Sequence, residues 1–358
     1  MEISEVNSIE LIKNLSDAFA PSGFEDDIAE IAKSAIANWS TKRDYLKNLY
    51  IYKNTEKKMK IWLDAHADEV GFMVQAILPN GMLQFLPLGG WNNNTIPASK
   101  VKIRNNNGEY VSGVVASKPL HFTTISEKNK ILDISEMVID VGAVNSNETI
   151  EKFNIGLGNP IVPDVICKYD EKNKIFIGKA FDNRVGVAAL LETLNQISSK
   201  DIYSGIIATI SSQEEVGERG TMAAVQNINS DLAIIFEGCP ADDTFSNEYM
   251  IQSGLKRGPN LRYMDYSMIT NQGFMNYVID IAKNENIPIQ LSVRSGGGTN
   301  ARYINASRYG VPTIVIAVPV RYVHSSYGIV ALDDYLQTIK LAIKIIENLN
   351  ENKLSTFK

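Results

Sequence analysis

Apolar residues recur at helical spacing over 8–19 ("SIELIKNLSDAF") and 24–38 ("FEDDIAEIAKSAIAN"), and "APSG" at 20–23 separates the two predicted helices. Strand-like runs follow at 46–53 and 60–65. From about 71 to 165 helical periodicity disappears. Short alternating runs such as "GFMVQAIL", "GMLQFLPL", "KVKIR" and "EYVSGVVAS" lie between the turn signals "PNG", "LGGW" and "NNNG", which predicts a small all-β module. After "LGNPIVPD" the pattern alternates again. Helices are expected at 182–198, 219–228, about 270–285, 300–307 and 332–349, with strands at 204–213, 231–236, 289–293 and 313–318.

Alternating strands and helices imply an α/β sheet with helices on both faces. The simplest organisation is one α/β domain formed by 1–70 and 166–358, interrupted by a β-rich insert at 71–165. A chain of 358 residues is long enough for such a large domain with a smaller companion.

Composition narrows the functional classes. A net charge of -6, with scattered basic residues, gives no nucleic-acid footprint. The two cysteines, Cys167 and Cys239, have no CxxC spacing, so neither a disulfide framework nor a thiolate zinc site is expected. The acidic, amphipathic start "MEISEVNSIELIKNL" does not resemble a signal peptide, and no apolar run reaches the length of a membrane span. A cytoplasmic protein is expected.

Open α/β sheets place their sites at the carboxyl ends of strands. Polar groups gather at those positions here. His66 and Asp68 follow the strand 60–65, Asp182 precedes a helix, Glu214 and Glu215 follow "ATISSQ", Glu237 follows "LAIIF", and His324 follows "TIVIAVPVRYV". Each has a bland reading taken singly: Asp182 as a helix cap, the glutamates as solvated strand exits, each histidine as a hydrogen-bonded structural residue. Their coincidence argues otherwise, because two of only three histidines lie at such positions. The third, His121 in "SKPLHFT", is assigned a structural or interface role. Gathered at one edge, Asp68, Asp182, Glu214, Glu215 and Glu237 need compensation, and Lys179 and Arg184 are too few to supply it. Two divalent cations would. Imidazole and carboxylate donors without thiolate suit zinc first, then cobalt or manganese. In such a centre Asp182 can bridge. One of Glu214 and Glu215 can bind metal while the other faces a water, and Asp68 can orient His66.

The motifs "APSGFE" (20–25), "DAHADEVGFMV" (64–74), "GVVASKPLHF" (113–122), "VIDVGA" (138–143), "GKAFDNRVGVAALLE" (178–192), "SSQEEVGERG" (211–220), "SGGGTNA" (295–301) and "RYVHSS" (321–326) occur in order over nearly the whole chain. In these the sequence resembles the dinuclear metallo-aminopeptidases of the glutamyl-aminopeptidase or tetrahedral-aminopeptidase type, some of whose members are labelled endoglucanases. The resemblance implies a phosphorylase/hydrolase-like α/β/α sandwich with a mixed sheet, interrupted by a PDZ-like β domain that mediates dimerisation. Members commonly assemble further, often into dodecamers. It also implies one metal on His66, Asp182 and Glu237 and a second on Asp182, Glu215 and His324. Glu214 would be the general base toward the nucleophilic water, and Asp68 would hold His66. The implied activity is removal of N-terminal residues from peptides.

Two departures stand out. The family often carries Asp where this chain has Glu237, and "GGTDA" where it has "GGTNA", so Asn300 is expected to remove a negative charge near the site. Rival readings keep the metals and change the reaction to a deacylase, a carboxypeptidase or a glycan hydrolase, or make the centre a scaffold for assembly. Lys256, Arg257 and Arg262 in "LKRGPNLRY" fall in a segment expected to help build the side-chain pocket, where they would favour acidic N-terminal residues, but a solvated loop is the preferred reading.

Overall fold

The computed structural model describes residues 3–36, 38–125 and 130–357. Residue 37, inside the span expected for the second helix, lies outside that set. Helices α1 (Glu5–Asp17) and α2 (Asp26–Ala35) open the chain, followed by β1 (Ser40–Arg43), β2 (Leu49–Lys53) and β3 (Lys60–His66). Next come β4 (Gly71–Ile77), β5 (Leu83–Leu88), β6 (Lys100–Arg104), β7 (Tyr110–Val115), β8 (Ile139–Asp140) and β9 (Pro160–Pro163). The chain continues through β10 (Lys168–Asp170), β11 (Ile175–Gly178), α3 (Phe181–Ile197), β12 (Gly205–Ser211), α4 (Arg219–Ala224) and β13 (Leu232–Pro240). It ends with β14 (Asn260–Met264), α5 (Gln272–Asn284), β15 (Gln290–Val293), α6 (Ala301–Asn305), β16 (Thr313–Arg321), β17 (Gly328–Ala331), α7 (Leu332–Asn348) and α8 (Glu351–Ser355).

The central strands are buried on both faces, and successive residues serve different cores. Ile61, Leu63, Ile234, Phe236, Ile314 and Ile316 join the larger core, which also takes in α1, α3, α5 and α7. Trp62, Ala233, Ile235, Val315 and Ala317 face a second core with Ala224, Ala301 and Ile304, beneath α4 and α6. Among the described residues one mixed sheet runs β1-β2-β12-β3-β13-β16-β17-β11-β10, with β14 paired to β16 and β15 to β14. Helix α3 is buried along almost its whole length and packs against β3 and β13. The architecture is therefore an α/β/α layering on a mixed sheet. Strands β4 to β9 form a separate closed antiparallel barrel with its own core around Phe72, Phe85 and Ile161.

For the site, the decisive fact is that β12, β3, β13 and β16 are parallel neighbours. Their carboxyl ends share one edge. Two expected strands run further than the pattern suggested: 231–236 extends to Pro240 and 313–318 to Arg321. Glu237 thus lies within β13, opposite Ala317 of β16, and not after the strand.

Candidate metal centre at the sheet edge

His66 ends β3, Glu237 sits in β13, and Glu214 and Glu215 lie in the turn after β12. His324 follows β16, and Asp182 stands at the entrance of α3. The structure brings all six together. His66 Nε2 is 3.1 Å from Asp182 Oδ1 and 3.4 Å from Glu237 Oε1. His324 Nε2 is 3.5 Å from Asp182 Oδ2 and 3.2 Å from Glu215 Oε2. Glu214 Oε2 lies 3.9 Å from His66 Nε2.

Asp182 is not a helix cap. It and Asn183 have non-helical dihedrals, so the regular part of α3 begins after them. The Asp182 carboxylate reaches His66 with one oxygen and His324 with the other. Gly238 allows this approach, because a Cβ there would lie 2.7 Å from the Phe181 carbonyl and 3.0 Å from the Asp182 Cα.

The fully buried Asp68 is set back from the cluster. Its Oδ1 is 3.4 Å from His66 Nδ1, while Oδ1 and Oδ2 also accept the backbone N–H groups of Glu214 (2.9 Å) and Glu215 (3.1 Å). The Ser22 hydroxyl donates to Asp68 Oδ2 at 2.6 Å. Asp68 therefore steadies two segments of the site, of which the sequence indicated one.

The electrostatics follow from burial and crowding. Burial, with repulsion from Glu215, Glu237 and Asp182, pushes Glu214 well above the usual carboxylate range against the pull of His66. Burial pushes Glu237 up to about 7, against the attraction of His66. Burial would also raise Asp182, but hydrogen bonds from His324 and His66 hold it well below its ordinary value. Both imidazoles are desolvated, which disfavours their charge. The surrounding carboxylates win, raising His324 to about 11 and His66 well above the usual range.

Acids buried this close together call for neutralisation, which bound cations would supply. Lys179 and Arg184 do not help, because both turn to the buried Glu69, at 2.7 and 3.2 Å. The donor set fits divalent ions. His66, Asp182 and Glu237 offer ligand atoms within 4.8 Å of one another, and so do Asp182, Glu215 and His324. Buried Glu215 Oε1 has no hydrogen-bond partner, which fits an oxygen that ligates a cation. His66, Glu214 and Glu215 converge as well, so Glu214 stands within ligand reach.

These six residues line a cavity of about 580 Å³, together with Phe245, Arg262, Arg294, Tyr322 and the glycine run 296–298. Residues 47–341 match the family described as M42 glutamyl aminopeptidase.

The chain belongs to the M42 glutamyl aminopeptidase family.

It is a peptide hydrolase of the aminopeptidase class. The M42 chain is 31% identical to the glutamyl aminopeptidase of Lactococcus lactis subsp. cremoris (strain MG1363), over 97% of this chain and 98% of that protein. Its fold superposes on the TET aminopeptidase of the marine sediment archaeon Thaumarchaeota archaeon SCGC AB-539-E09 with a TM-score of 0.93 and 34% identity, covering 98% of this chain and 100% of the other. The TET1 peptidase of Pyrococcus horikoshii, described as assembling into a tetrahedron or a large octahedral shell, gives a TM-score of 0.86 at 25% identity, covering 96% and 100%.

Some residues of this M42 site were not indicated by the sequence. Arg262 is buried in β14 and lines the cavity, with Nη1 donating to Asp265 at 2.9 Å, whereas Lys256 and Arg257 are exposed. The expected solvated loop therefore holds for two of the three. Ser22 and Glu25 lie in "APSGFE", which the sequence marked as a break between helices and as a motif of the resemblance, without a role for either side chain. Asn300 does not line the cavity, and its amide is buried against Asp64. His121 is exposed in the barrel-forming segment, away from the cluster.

Proposed function

We propose that this M42 chain removes N-terminal residues from peptides by metal-assisted hydrolysis. His66, Asp182 and Glu237 would hold one ion and Asp182, Glu215 and His324 the other. Divalent ions at such a pair of sites polarise the scissile carbonyl and activate a nucleophilic water. Zinc suits these donors first, with cobalt and manganese next. The observation that carries the reading is the pair of ligand triads meeting at Asp182, with Glu214 beside them.

Glu214 acts as the general base. Burial raises its proton affinity, so as a carboxylate it takes the proton from the attacking water and then returns it to the leaving amine. Asp68 fixes the His66 ring through Nδ1, which faces the Asp68 backbone carbonyl at 3.2 Å and its carboxylate at 3.4 Å, leaving Nε2 for the ion. The unblocked α-amine of the substrate is read by the carboxylates at the site, which separates this activity from a deacylase or a carboxypeptidase. The protein acts on cytoplasmic peptides as a homo-oligomer, dimerising through the β-rich segment 71–165 and from there able to form a dodecamer.

Glu214→Gln tests the reading. Metal content should match the wild type while kcat falls by roughly 10²–10⁴-fold. Chelation should abolish wild-type turnover, and N-acetylated peptides should not be cleaved. Unchanged turnover in the variant contradicts the assignment of the base, and turnover of blocked peptides alone contradicts the aminopeptidase reading.

A further inference from the structure

The turn that carries Glu214 and Glu215 is closed by backbone hydrogen bonds to the carbonyls of Ser212, Gln213 and Glu214, but the N–H groups of 212–215 take no part in that closure. Gln213 (φ 53°) and Glu218 (φ 49°) occupy the left-handed region without being glycine, and Gly217 has φ 111°. Yet four successive amides in it are held by side chains from elsewhere. Ser212 N–H donates to Asn48 Oδ1 at 2.9 Å and Gln213 N–H to Glu25 Oε1 at 3.1 Å, while Glu214 and Glu215 N–H donate to the two oxygens of Asp68. Glu25 Oε1 also accepts Gly23 N–H at 2.6 Å, so it ties its own loop to the turn. The neighbouring Ser22 hydroxyl fixes Asp68. Both Ser22 and Glu25 are buried, at 5% and 1% exposure, and neither lines the cavity.

We infer that Glu25, supported by Ser22, is a positioning residue of the hydrolytic site: it fixes the backbone from which Glu214 projects. The inference rests on the reading of Glu214 as the base. A strand would hold that side chain through its ladder, but Glu214 lies just beyond β12, where no ladder bond reaches. A row of N–H groups facing the buried side-chain oxygens of Glu25 and Asp68 replaces the ladder with hydrogen bonds that are costly to leave unmade. The precision matters because a misplacement of about 1 Å in a reacting group can cost ~10²-fold in rate. Glu25 is thus tied to turnover without touching substrate or metal.

The test uses Glu25→Ala and Glu25→Gln in the full-length, metal-loaded protein. Alanine leaves the Gln213 and Gly23 amides without their acceptor. It should lower kcat roughly tenfold or more, with KM and metal content close to wild type, the pattern of misplaced chemistry. Glutamine keeps a side-chain oxygen at the same reach and should restore most of kcat. Ser22→Ala, a milder change, should lower kcat less and in the same direction, and it carries the test should Glu25→Ala fail to fold. Amide hydrogen exchange of residues 213–215 gives a readout independent of activity, and exchange there should be faster in Glu25→Ala than in wild type. Slow exchange and wild-type kcat in the alanine variant overturn the inference, as does a kcat loss that merely follows metal loss. A wild type that exchanges slowly at 213–215 but cleaves no peptide counts against the proposed function and leaves the positioning intact.

Discussion

Asn300 illustrates how a single residue's role depends on what lies behind it. It stands where the resembled family often carries aspartate, and the sequence suggested the loss of a negative charge near the site, with the substrate charge tolerated there changed as a consequence. In the structure its Nδ2 donates to Asp64 Oδ2 at 2.8 Å and to Ser211 Oγ at 2.6 Å, with the residue only 1% exposed. Burial pushes Asp64 up to about 6, and hydrogen bonds from Thr209, Asn300 and Ser211 pull it back. Asn300 is therefore a donor to a buried carboxyl. Asn300→Ala should cost about 1–3 kcal/mol in urea denaturation, the usual cost of stranding a buried polar partner, with substrate preference unchanged. An altered preference at full stability would restore the substrate-charge reading. The contrast shows what was legible at this scale. His66, Asp182, Glu214, Glu215, Glu237 and His324 could be read because acids and scarce histidines at strand ends form a pattern in the chain. Ser22, Glu25 and Asn300 could not, because each acts through a hydrogen bond to a residue at least 46 positions away.

Elements place these residues, and α7 shows how the placement is secured at a distance. Its first turn carries Asp333 and Asp334, favourably sited for the helix dipole. Asp334 accepts N–H groups from Lys256 and Gly258, both at 2.7 Å, and so pins the turn leading into β14 and Arg262. Burial pushes its carboxyl up to about 6 despite those donors. A carboxyl raised from 3.8 to about 6 by folding holds its proton more tightly in the native state, so its contribution to stability is greatest below pH 3.8 and is lost as pH rises through about 6. The stability difference between wild type and Asp334→Asn should therefore shift against the wild type across that window, by at most about 3 kcal/mol. Parallel pH dependence of the two proteins in denaturant titrations would contradict it. The long elements around this contact were readable in advance: α3, α5, α7 and the central strands have sustained periodicity. The short strands β1, β10, β11 and β17 were not, and neither was β14. Such pieces of three to five residues carry too little pattern, and pairing with distant partners makes them strands.

At the scale of the whole molecule, the barrel-bearing segment leaves apolar side chains in water. Leu120, Phe122 and Ile125 are 75%, 73% and 86% exposed, in a stretch that also includes His121. An exposed apolar cluster of this kind points to a partner surface. The proposed dimer through this segment gives it one, and the assembly of a structural relative into a tetrahedron or octahedral shell is in keeping with that. Covering a large apolar side chain is worth roughly 1.5–3 kcal/mol. Replacing Leu120 and Phe122 together with glutamate should thus weaken association by at least about 3 kcal/mol, or more than ~100-fold in dissociation constant. Light scattering should show the wild type at a multiple of the chain mass and the double variant shifted to smaller species. Metal content should be retained, because the proposed ligands lie outside segment 71–165. An assembly of unchanged mass across a wide dilution series would assign the interface to another surface and leave these side chains without the role proposed for them.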